Sequence, residues 1–209
     1  MSNFTYESAD RKTRLETFEW DNVWWEHTEI ADAPRVLYIG DSISCATRRV
    51  ATAAAENKIL FDGFGTSKAI DNPYFADSVR IFAAQQGRRD AIIFNNGLHG
   101  WHLDDESEYR EHYENFLKFL MSEYPETPVF VVLTTAVTND ERNLRVIKRN
   151  EVVTDIAKKL DLPIIDLYAA STSQAELHSP DGVHLNKLGY DILANEIVKA
   201  LKANVPTLG

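Results

Sequence analysis

Cysteine is almost missing: Cys45 is the only one in the 209-residue chain. No intramolecular disulfide can form, and zinc sites built from cysteines are excluded. Placed one turn into an expected helix, Cys45 reads as a small packed apolar residue. Basic side chains are also in short supply, with 22 Lys and Arg against 32 Asp and Glu and a formal net charge of -10. That balance argues against a nucleic-acid surface, because such binding rests on clustered cations that neutralise phosphates. It disfavours an anionic membrane for the same reason. The longest apolar runs are strand-sized, too short for a membrane-spanning helix. Met1 to Trp20 is polar and charged, so no signal peptide or anchor is expected there, and a cytoplasmic location is the expectation. Internal repeats, low-complexity tracts and linkers are absent as well, which predicts one domain over 1–209, long enough for a sizeable core.

What is present is an alternation of strand and helix signals. Strands are expected at 36–39, 59–62, 91–95, 129–134 and 163–166. Helices are expected at about 45–57, 73–86, 104–124, 143–160 and 187–204. Pro73 suits a helix start and Gly87 a stop. Asp104, Asp105 and Glu106 suit the positive end of the third helix, and Asn186 suits a cap for the last. The alternation predicts an α/β fold, a parallel sheet with helices on both faces. Residues 1–33 form an aromatic-rich extension ahead of it, with Phe18, Trp20, Trp24 and Trp25 close together. Those rings either wrap the sheet edge as a satellite cluster or form a sugar-stacking or acyl-contacting wall beside the site.

The run Val36-Leu37-Tyr38-Ile39 ends abruptly in Gly40-Asp41-Ser42-Ile43. A serine is thereby set at a strand-to-helix turn, on the side of an open α/β sheet where ligands bind. Near the other end of the chain, Asp181-Gly182-Val183-His184 places an acid and a base three residues apart, after the turn-forming Ser179-Pro180. A serine hydroxyl needs a base to take its proton, and the base needs a third group to fix its tautomer. Ser42, His184 and Asp181 fit these three catalytic roles. Taken singly, Ser42 also suits a helix cap, and Asp181-Gly182 a simple turn. Asp41 is expected to order its own turn.

These two blocks resemble those of the GDSL esterases of the SGNH hydrolase superfamily, and the resemblance runs from about 34 to 201. It implies a three-layer α/β/α sandwich with a five-stranded parallel sheet, flavodoxin-like in build. It further implies an oxyanion hole formed by the Ser42 amide, a glycine after the second strand and an asparagine after the third. Gly65 matches the glycine, with Gly63 the less favoured choice. The third block departs from the usual Gly-x-Asn-Asp, reading Phe94-Asn95-Asn96-Gly97-Leu98-His99-Gly100. Either Asn96 or His99 then completes the hole, with Asn96 slightly preferred.

Polar and aromatic residues at other strand ends, Trp101, His102, Thr134, Thr135 and Asn139, are candidates for the pocket rim, with Trp101 and Thr135 expected to touch substrate. The expected activity is that of a serine esterase working through an acyl-enzyme. Its expected partner is a small-molecule or carbohydrate ester, an acetyl ester on a sugar being favoured. Thioester or lysophospholipid cleavage on the same triad is the alternative. No cofactor or metal is called for. A metal-dependent hydrolase would have to draw on His99, His102, Asp181 and His184, and no His-Glu-x-x-His segment is present. A non-catalytic flavodoxin-like module would need a phosphate loop, and Gly63-Phe64-Gly65 lacks the third glycine of a dinucleotide fingerprint.

Overall fold

The computed structural model describes residues 18–103, 105–174 and 176–209. The expectations for residues 1–17 and for Asp104 lie outside the described residues. Six strands form one sheet: β1 (Asp21–Trp24), β2 (Arg35–Gly40), β3 (Leu60–Thr66), β4 (Ala91–Phe94), β5 (Val129–Val132) and β6 (Ile164–Ile165). Their spatial order is β1-β3-β2-β4-β5-β6. Five run parallel, and β1 lies antiparallel along β3.

Alternation along β2 fixes the layers. Val36 and Tyr38 face one core, Leu37 and Ile39 the other, and all four are essentially inaccessible. A strand covered on both faces reads as an unbroken apolar run, which is why the sequence shows it clearly. On one face α1 (Ser42–Ala54) packs with α6 (Lys187–Asn204) and the short α5 (Leu167–Ser171) over Val36, Phe61, Ile93 and Phe130. On the other, α2 (Phe75–Gln86), α3 (Glu106–Glu123) and the second half of α4 (Asp140–Lys159) cover Leu37, Phe64, Phe94 and Val131. Among the described residues no helix is long and apolar enough to cross a membrane.

The expected five-stranded parallel sheet is present, with β1 as an addition. Asp21, Asn22 and Val23 are exposed, so β1 carries no apolar alternation that periodicity could detect. Backbone pairing with β3 creates it. β3 also runs on to Thr66, past the expected end at 62 and through Gly63 and Gly65. Each glycine admits a neighbour: a β-carbon on Gly63 would lie 2.4 Å from Arg48 Cδ, and one on Gly65 2.1 Å from Cys45 Sγ. Helix starts shift as well. α1 begins at Ser42 instead of Cys45, and α4 begins at Asp140 because Asn139 caps it, its side chain accepting from Arg142 N at 2.9 Å.

The N-terminal rings divide between two places. Trp25 stacks on Phe82 with centroids 4.3 Å apart, and Trp24 lies beneath the Arg48 and Arg49 guanidinium groups at 5.6 and 4.9 Å. These two seal the sheet edge. Phe18 and Trp20 lead to the cleft described next.

Candidate active site

Asp41, not Ser42, caps α1: its Oδ1 accepts from Ile43 N at 2.9 Å. The Ser42 hydroxyl is thereby released from the capping role and meets the Nε2 of His184 at 2.8 Å. On the far side of the ring, His184 Nδ1 lies 2.8 Å from Asp181 Oδ2. Asp181 Oδ1 also accepts from the amides of Val183 and His184, both at 2.9 Å. Although desolvation pushes the Asp181 carboxyl up, the Val183 amide, the His184 ring and the His184 amide outweigh it and hold it below its ordinary value.

A tight loop makes this possible. Gly182 takes φ +72°, a conformation that side chains disfavour, its N–H donates to Ser179 O, and its carbonyl accepts from Thr138 N at 2.8 Å. His178 pairs across the loop with Leu185, and its Nε2 lies 2.8 Å from Ala136 O. The Asp181–His184 segment is therefore fastened to the chain leaving β5, beside the end of β2.

Ser42 and His184 open onto a cleft of about 450 Å³, lined also by Phe18, Trp20, Asp21, Asn22 and His99. Trp20 stands edge-on to His99 with centroids 6.3 Å apart and an interplanar angle of 78°. Gly65 stands opposite Asn22 in the β1–β3 register, with Asp41 O and Trp20 Cζ3 each 3.5 Å from where a β-carbon would stand. Gly63 is instead covered by Arg48. Cys45 fits against Gly65 as a packed residue, and burial pushes its thiol pKa up.

The third block separates its two candidates. Asn96 is fully buried, and its Nδ2 donates to Lys68 O at 2.9 Å, tying the loop after β4 to the loop after β3. His99 faces the cleft.

Both expected substrate-contacting residues are displaced. Trp101 is only 6% exposed and belongs to the core, with the Arg145 and Arg149 guanidinium groups 5.1 and 5.0 Å from its ring centroid. Gly100, at φ +73°, turns the chain inward and takes Trp101 with it. Thr135 is buried as well and lines a separate cavity of about 10 Å³ behind the nucleophile turn, with Asp41, Ser44, Asn95 and Thr134. The side groups of the metal alternative are divided: His102 Nε2 lies 2.8 Å from Asp71 Oδ2, whereas His184 is engaged with Asp181 and Ser42. Among the described residues no group of three or more His, Cys, Asp or Glu could hold a metal ion.

One residue the sequence reading missed is Arg149, which is 1% exposed and holds the loop that carries His99. Its signal was present. Val146, Arg149, Asn150 and Val153 share a helical face, and a cation in an apolar stripe is rare unless its donors are used.

No family model matches the chain. Over 84 residues it is 34% identical to a Staphylococcus aureus (strain COL) protein provisionally named an O-acetyltransferase. That match covers 40% of this chain and 13% of the relative, so the chain corresponds to a small fraction of that protein's length. Among solved structures, an acetyl xylan esterase superposes with a TM-score of 0.65 at 17% identity, covering 80% of this chain and 99% of the other. A lipolytic protein of the G-D-S-L family from Veillonella parvula DSM 2008 gives 0.63 at 19% identity, covering 81% and 99%. A lipase/acylhydrolase from Enterococcus faecalis gives 0.59 at 17% identity, covering 82% and 97%. The chain has the fold of the GDSL-type lipases and acylhydrolases, as the resemblance implied.

Proposed function

We propose that the protein is a serine esterase that removes a short acyl group, acetyl above all, from a carbohydrate alcohol. The observation that carries this reading is the unbroken chain from Ser42 Oγ through His184 to Asp181, with 2.8 Å at each link. His184 Nε2 takes the Ser42 proton as Oγ attacks the ester carbonyl, and Asp181 stabilises the imidazolium that forms. The tetrahedral oxygen is received by the Ser42 amide and the His99 ring. Collapse expels the alcohol, which takes the proton back from His184. Water then enters and gives a proton to His184 as it attacks the acyl carbon, and as the acid leaves, His184 returns that proton to Ser42 Oγ.

The carbohydrate assignment draws on the cleft wall. Phe18 and Trp20 offer aromatic faces, and Asp21 and Asn22 bring polar groups beside them, a combination suited to the apolar faces and hydroxyl edges of a sugar ring. An acetyl xylan esterase shares the fold. The test is a hydrolysis panel of aryl acetate, butyrate and octanoate, acetylated sugars and acyl-coenzyme A, run with parent and Ser42→Ala enzymes. Fluorophosphonate labelling is mapped to the modified peptide. The reading requires acetyl esters to lead, the label to sit on Ser42, and Ser42→Ala to be inert. Undiminished turnover by Ser42→Ala overturns it, and a preference for octanoate overturns the short-acyl assignment.

A further inference from the structure

We propose that Arg149 is a positioning residue that sets His99 for oxyanion binding, an inference that rests on the esterase reading above. Its guanidinium is buried, which is costly unless its donors find acceptors. They find the chain itself. Nη1 donates to Gly97 O at 3.0 Å and to His99 O at 2.7 Å, and Nη2 donates to Gly100 O at 2.6 Å. The group is sandwiched between aromatic rings, 4.5 Å from the Tyr109 centroid and 5.0 Å from that of Trp101. Tyr109 adds a hydroxyl that donates to Asn96 O at 2.8 Å.

Four carbonyls of one short loop, those of residues 96, 97, 99 and 100, are thus drawn toward α3 and α4. The His99 ring is left in the cleft wall with Ser42 and His184, on a backbone pinned at its own carbonyl. A transition-state donor works only if it is fixed before charge develops, and a displacement of about 1 Å can cost about a hundredfold in rate. A planar fork suits the task because it serves several acceptors at set spacing. A lysine ammonium is a point donor on a flexible stem.

The experiment is a mutant cycle with Arg149→Met, Arg149→Lys, His99→Ala and the Arg149→Met/His99→Ala double variant. Rates on an aryl acetate are normalised to Ser42 sites counted by exhaustive fluorophosphonate labelling. Arg149→Met is expected to lower kcat by about 10- to 100-fold with KM within about threefold, Arg149→Lys by less, and the loss is expected to vanish in the His99→Ala background. An unchanged kcat per labelled site overturns the positioning role. So does an equal loss with and without His99, which would mark general damage. If Arg149→Met fails to fold, Arg149→Lys with and without His99→Ala decides by the same criteria. Absence of parental turnover and of Ser42 labelling overturns the esterase reading itself, whereas an active parent indifferent to Arg149 overturns only this inference.

Discussion

Asn96 and Lys68 join two loops through one bond: the amide of the fully buried Asn96 donates to the Lys68 carbonyl at 2.9 Å. The asparagine favoured in the sequence as an oxyanion donor is therefore already engaged in holding the site's framework. His99→Ala is expected to lower kcat by about 10²–10³, the usual cost of a lost oxyanion donor. Asn96→Ala is expected to act first on stability, by about 1–3 kcal/mol for the carbonyl it leaves unpaired. Steady-state rates beside denaturant melts of both variants separate the two roles, and the reverse ranking of kcat would return the donor role to Asn96.

The acid side of the pH profile follows from Asp181. Its carboxyl is held below the ordinary value of 3.8, so it stays charged as pH falls to that value and accepts a proton only lower. The stabilisation it gives the loop is present above the ordinary value and is lost as pH falls through the depressed one. The His184 ring must be neutral to act as base, and Asp181 adds no second protonation until pH falls below its ordinary value. A plot of log kcat/KM against pH is expected to fall on the acid side with a slope of one. A slope of two would mean that Asp181 titrates in the same window.

Crowding between β3 and α1 gives a rescue experiment. A β-carbon on Gly65 would stand 2.1 Å from Cys45 Sγ. Gly65→Ala is expected to destabilise by about 1–3 kcal/mol, the common cost of overpacking. Adding Cys45→Ala removes the colliding sulfur and is expected to restore most of that stability. A double variant no more stable than Gly65→Ala would show that the collision is not the cause.

Away from the site, Asp62 is the buried anchor of the N-terminal segment. It accepts from Arg35 Nη1 at 2.8 Å, from Glu26 N at 2.9 Å and from Gln86 Nε2 at 2.9 Å, and its side chain is wholly buried. Asp62→Ala leaves Arg35 without its carboxylate and the Glu26 amide and Gln86 without their acceptor, at an expected cost of about 1–3 kcal/mol. Thermal unfolding measures it, and a loss below about 1 kcal/mol would mean that water reaches Arg35 freely.

What the sequence disclosed follows burial and local chemistry. β2 was plain because both its faces are covered, and the limits of α6 were plain because Asn186 caps it, accepting from Gly189 N at 3.0 Å. Ser42, Asp181 and His184 sit in segments whose turn chemistry is written locally. β1 stayed hidden because its order comes from pairing with β3, a contact of distant residues. Trp101 was misplaced for a similar reason. A tryptophan after a strand suits a rim or a core equally, and the choice was made by two arginines on α4 far along the chain.

The antiparallel strand at the sheet edge makes two properties inseparable. Trp20 lies directly ahead of β1 and its carbonyl accepts from Ser67 N at 3.1 Å, so the ring that walls the cleft hangs on the same hydrogen-bonded ribbon that closes the edge of β3. Fraying of that ribbon widens the cleft, and a ligand seated against Trp20 opposes the fraying. Occupancy of the cleft is then expected to slow amide exchange at Trp24, whose N–H faces β3 in the same ribbon and which does not line the cleft.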